Sequence, residues 1–213
     1  LVGIDRDQIV PEGLADRFGF VACRGSDNSQ TAAVNAALAS ASGTHIAFLE
    51  DDDRWLPEFL STALSLRVPF VSSTELEVHN DGTVERIFDF PAPSGWVGER
   101  WVFDRIGALV GRWHIDNYFL GRLAEEQIER VHLVEATAPI GGNIAAVRPW
   151  LAAVLQRGGP CVRLQRHTNP YPLVVRGLHA QSGVSRLQED AEADAASTAE
   201  YEWLIQRFGR IPW

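Results

Sequence analysis

The chain has 213 residues, 46% of them hydrophobic and 22% charged, enough for one well-cored domain. A net charge of −9 excludes a general nucleic-acid binder, because phosphate contacts need basic patches. No apolar run is long enough to span a bilayer, no signal peptide is visible, and Cys23 and Cys161 lack metal-ligand spacing, so the expectation is a cytoplasmic protein with reduced thiols.

Residues 1–4 are apolar and end in Asp5-Arg6-Asp7, a strand-then-acid pattern. A short helix is expected over 11–18 and a short strand over 20–23. Gly25-Ser26-Asp27-Asn28-Ser29 is turn chemistry that also supplies helix N-caps. Over 30–41, Ala33, Val34, Ala37, Leu38 and Ala41 share one helical face, and Gly43 is a stop. The apolar run over 44–49 reads as a buried, central strand, and it ends abruptly in Glu50, Asp51, Asp52 and Asp53. Pro57 suits the first turn of the helix that follows, and 68–72 reads as another strand. This alternation is an α/β pattern with parallel pairing.

The middle of the chain changes character. Residues 74–90 form an expected hairpin turning at Asn80-Asp81-Gly82, followed by a Pro/Gly loop over 91–95. Trp96, Trp101 and Trp113 suit core or loop packing, with stacking on a sugar ring as an alternative. Helix is expected over 117–129 and 144–155, and strand over 131–136. Residues 188–195 are acidic and expected to be mobile. Tyr201, Leu204, Ile205 and Phe208 form the inward face of a closing helix over 199–208 that docks on the body or on a second subunit, giving a homodimer.

The acid run carries the functional argument. In open α/β sheets, ligands bind at the carboxyl ends of the strands. Adjacent carboxylates repel, and burial raises their pKa unless a cation compensates. A hard divalent cation, held by one or two carboxylates and a substrate's phosphates, resolves that conflict. The competing expectation is an acidic turn, or a helix N-terminus where carboxylates favour the dipole.

Residues 28–57, NSQTAAVNAALASASGTHIAFLEDDDRWLP, resemble the family-2 glycosyltransferases of the GT-A fold. There a helix carrying an Asn leads through a Gly into an apolar strand, then an acidic run with the Asp-x-Asp motif, an aromatic and a Pro. Asn35, Gly43, Phe48-Leu49, Asp51-Asp52-Asp53, Trp55 and Pro57 match in order. Residues 1–7 are similar to the family's second strand, and Asp5 then takes the contact to the nucleotide base. The family's first strand has no counterpart here. Residues 103–123 resemble the stretch in which an acid precedes an aromatic-Leu-x-x-Arg-Leu helix, with Asp116, Leu120 and Arg122-Leu123 matching. His114-Ile115-Asp116 stands where the family usually has two acids. Residues 177–185 are similar to the late His-containing loop, whose His completes the metal shell, here His179.

The resemblance implies a single GT-A-like domain, α/β with a Rossmann-like mixed central sheet flanked by helices. It would comprise a nucleotide-sugar-binding half (1–75), an acceptor-binding half (76–187) and a C-terminal helix (188–213). It implies an inverting transferase that moves a sugar from a UDP- or GDP-sugar to a hydroxyl of a glycan, lipid or small-molecule acceptor. Asp116 is then the general base; Asp5, Asn35 and Asp51 bind the nucleotide sugar; and Asp52, Asp53 and His179 hold Mn²⁺ or Mg²⁺. For Asp116 the alternative is an N-cap on the next helix, and for Asp5 strand-end turn chemistry. The alternative functions are a non-catalytic nucleotide-sugar or glycan-binding module of the same fold and a GT-A-like nucleotidyltransferase, although no Gly-rich, basic triphosphate loop is visible.

Overall fold

The computed structural model describes residues 1–88, 90–135, 162–167, 173–179 and 190–209. The chain is mixed α/β. Strand β1 (Val2–Ile4), helix α1 (Leu14–Phe18), strand β2 (Ala22–Arg24) and helix α2 (Gln30–Ser40) come first. β1 and β2 pair in parallel as a separate two-stranded sheet, on which α2 packs. Ser29 is the N-cap of α2, its hydroxyl accepting from the Ala32 amide at 3.2 Å. That cap follows from the preceding turn chemistry.

The chain continues through β3 (His45–Ala47), β4 (Arg54–Trp55), α3 (Phe59–Ser65), β5 (Phe70–Ser73), β6 (Glu75–His79) and β7 (Val84–Phe88). A 3₁₀ turn (Pro93–Gly95) then leads into β8 (Val97–Glu99), α4 (Arg100–Ile106), α5 (Ile115–Glu125) and β9 (Arg130–Glu135). β10 (Val162–His167), β11 (Val174–Leu178) and α6 (Ala191–Phe208) follow. The main sheet has the order β10-β9-β5-β8-β3. Its first three strands are parallel, and β8 runs antiparallel to both β5 and β3. A second sheet has the order β4-β11-β6-β7. The hairpin β6–β7 turns where the sequence places it: Gly82 takes φ 85°, which glycine adopts without a Cβ penalty, and its amide donates to the His79 carbonyl at 2.8 Å.

Several expectations are corrected. β3 is an edge strand of three residues, with His45 and Ala47 exposed, not a buried central strand. Antiparallel β8 lies between it and β5, so β3 has no parallel partner. The apolar run leaves the sheet at Phe48, whose ring packs 5.5 Å from both Trp96 and Phe103. Pro57 is not in a first helical turn, because α3 begins at Phe59. Arg54 and Trp55 instead gain a sheet partner in β11, and the Trp55 indole donates to the Ser94 carbonyl at 2.7 Å. Residues 191–195 are helical rather than loose: Asp190 caps α6 by accepting from the Glu192 and Ala193 amides, and Glu192 and Asp194 suit its positive end. On α6, Leu204 is buried but Tyr201 and Ile205 are exposed, because the helix turns Ser197 and Leu204 inward. The helix expected over 144–155 lies outside the described residues.

Alternation along the strands divides the core. Phe70 faces a cluster with Trp96, Phe103, Phe119 and Leu123, under α4 and α5. Its neighbour Val71 faces the opposite cluster with Phe59, Val97, Val131 and Val174. Trp96 stacks on Phe119 at 4.6 Å and is fully buried, so it is a core residue. Among the described residues no helix is long and apolar enough to cross a membrane.

Candidate functional site

The acid run lies where the main sheet's edge meets the start of the second sheet. Glu50 follows β3. Its amide donates to the Ser94 hydroxyl at 2.9 Å, and its carboxylate accepts from the Gln30 side-chain amide. Asp53 Oδ1 accepts the Gly177 amide of β11 at 2.9 Å. Asp52 Oδ2 lies 2.9 Å from His179 Nε2, just beyond the end of β11. The fold thus joins two of the expected metal ligands across 127 positions and fixes the third beside them. Gly177 permits this closeness: a Cβ there would run into the Asp52 carbonyl oxygen.

The carboxylates crowd one another. Burial, and then the charge of Asp53, pushes Glu50 up to about 7. Burial also raises Asp53, opposed by hydrogen bonds from Ser94 and Gly177. Glu75, at the start of β6, is fully buried, and among the described residues neither carboxyl oxygen has a hydrogen-bond partner. Burial, then Asp53, drives its pKa well above the usual range. Asp53 Oδ2 is likewise buried without a hydrogen-bond partner among the described residues. The Arg176 charge opposes the rise of Glu50, Asp53 and Glu75 and, as the least of the causes, that of Asp116. Among the described residues no three His, Cys, Asp or Glu side chains come together as a metal-ligand group.

Asp116 sits in the first turn of α5, whose N-cap position is His114, so Asp116 is not the cap residue. Its Oδ1 accepts from the Asn117 amide at 2.6 Å, and burial raises its pKa against that bond. The segment before it is held from two sides. Asn35 of α2 donates to the Leu109 carbonyl at 2.9 Å and accepts the Leu109 amide at 2.8 Å. Glu200 of α6 accepts the successive amides of Arg112, Trp113 and His114 at 2.8, 3.1 and 2.9 Å. His114 Nε2 lies 2.9 Å from the Ser197 hydroxyl.

Asn35 therefore anchors the loop that leads to Asp116. Asp51 is exposed beside Asp52. Asp5 follows β1 of the separate two-stranded sheet, and no hydrogen bond or ion pair joins it to the acid run among the described residues. Glu75, Arg176 and Glu200 join the site only in the folded chain. Alternation does not mark Glu75, because Glu75, Leu76 and Glu77 are all buried along β6. Arg176 and Glu200 carry no local signal, because their partners lie far along the chain. Compared with known proteins, the chain matches no family model and no curated sequence.

Proposed function

We propose that the protein is a metal-dependent inverting glycosyltransferase of the GT-A type, moving a sugar from a nucleoside-diphosphate sugar to a hydroxyl acceptor. The observation that carries this reading is the junction of the acid run with the end of β11, where Asp52 meets His179 and Gly177 holds Asp53. The two carboxylates fit a hard cation. Such an ion needs only one or two carboxylates, keeps its waters and takes substrate phosphates as further ligands. Asp53 Oδ2, buried with no hydrogen-bond partner among the described residues, is an oxygen in want of one. Asp52 and Asp53 would hold Mn²⁺ or Mg²⁺, with His179 hydrogen-bonded to Asp52 and orienting it; the ion when bound supplies Lewis-acid screening of the leaving diphosphate.

Asp116 is the general base. Its carboxylate takes the proton of the acceptor hydroxyl as the new C–O bond forms at the anomeric carbon and the bond to the diphosphate breaks. The raised pKa suits that role, since a base performs best when its pKa lies nearer the working pH. Asn35 and Glu200 fix the backbone from which α5 presents it.

Titration calorimetry with UDP and GDP, with and without Mn²⁺, tests the site on wild type and on Asp52→Asn/Asp53→Asn. Binding that needs both metal and acids is the expected result; no binding of either nucleotide refutes the reading. Asp116→Asn should abolish release of the nucleoside diphosphate while leaving its binding intact. A wild type that binds donor but never turns over would favour the non-catalytic binding module.

A further inference from the structure

We propose that Arg176 is the residue that grips the diphosphate of the donor, an assignment that rests on the glycosyltransferase reading. Arg176 lies on β11, one residue before the Gly177 amide that holds Asp53 and three before His179. Its guanidinium makes no side-chain hydrogen bond to any described residue. Its one ion-pair contact among them is 3.6 Å from Glu77. Glu77 is already paired more closely with Arg86, at 2.6 Å. Among the described residues Arg176 is therefore a fork whose five donors make no hydrogen bond and whose one ion pair is long, a geometry that suits bidentate phosphate recognition.

Its setting preserves that state. The guanidinium lies 5.0 Å over the Phe88 ring, which orients it without using its donors. A quarter of the side chain is exposed, so a ligand reaches it. Glu50, Asp53, Glu75 and Asp116 all feel its charge, yet none of them hydrogen-bonds it. An anion is the ligand chemistry that such a fork takes, and among these acids Arg176 is a cation able to receive one alongside the metal. On the departing diphosphate it would stabilise the charge that grows as the glycosidic C–O bond breaks.

The test is calorimetric titration of UDP and GDP with Mn²⁺ on wild type, Arg176→Gln, Arg176→Lys and Arg100→Gln. Arg100→Gln is the charge-matched control, because it removes the same charge from α4 and its ion pair is with Asp104 of the same helix. The expected result is binding weakened about 10- to 100-fold in Arg176→Gln, several-fold in Arg176→Lys and less than about twofold in Arg100→Gln. If Arg176→Gln unfolds, Arg176→Lys carries the test, since it keeps the charge and loses the fork. Wild-type affinity in the Arg176 variants, or equal losses in Arg176→Gln and Arg100→Gln, overturns the assignment and leaves the transferase reading standing. Failure of the wild type to bind either nucleotide removes both.

Discussion

Replacing Glu50 by Gln should make the protein more stable, and only above a defined pH. The Glu50 carboxyl is pushed from 4.5 up to about 7 by burial and by Asp53. The native state thus holds a proton that the unfolded chain has released between those values. Stability is lost as the pH rises through that window and stays lost above it. The span corresponds to about 3 kcal/mol at pH 8, using about 1.4 kcal/mol per pKa unit. Glu50 retains some contact with solvent, which screens part of this. Gln at this position keeps an oxygen for the Gln30 amide. A net gain of about 1–2 kcal/mol is therefore expected at pH 8, or roughly 2–8 °C in Tm for a chain of this size. Thermal unfolding of both proteins at pH 4, 6 and 8, in EDTA so that adventitious cations do not compensate the acids, measures it. A shift of the same size at pH 4 and pH 8, or a loss at pH 8, would refute the account of crowded, desolvated carboxylates.

Glu75→Gln should behave in the same direction, since burial holds Glu75 protonated in the native state: nearly neutral at pH 4 and stabilising at pH 8 in the same melts. Gly177→Val should cost about 1–3 kcal/mol in denaturant unfolding, because the new side chain meets the Asp52 carbonyl, and metal-dependent nucleotide binding should fall with it. Unchanged nucleotide binding in that variant would separate β11 from the site. Glu200→Ala should speed amide exchange at Arg112, Trp113 and His114 and cost about 1–3 kcal/mol, because three donors lose a charged acceptor. Slow exchange retained at those three amides would show that Asn35 and the α5 packing hold the loop without α6.

Much of the local structure was legible in the residues. Ser29 as a helix cap, the hairpin at Asn80-Asp81-Gly82 and the apolar face of α5 with Leu120 and Leu123 follow from short-range rules that need no partner. The crowding of Glu50 and Asp53 was legible too, since carboxylates three residues apart at a strand end lie close wherever the strand lies. Tertiary structure alone decided where that strand lies. Hydrophobic alternation tells which side of a strand is buried, not which strand becomes its neighbour, so β3 could as well have been central as the edge partner of antiparallel β8. The same holds for the short apolar periods around Tyr201 and Ile205, whose exposure depends on how α6 is rotated against α5. The contacts that make a site, His179 to Asp52, Gly177 to Asp53, Arg176 among the acids and Glu200 on the loop before Asp116, join residues about 60 to 127 positions apart. No local preference encodes such pairs; they form because two sheets close over a shared core and α6 docks on α5, which brings those segments together.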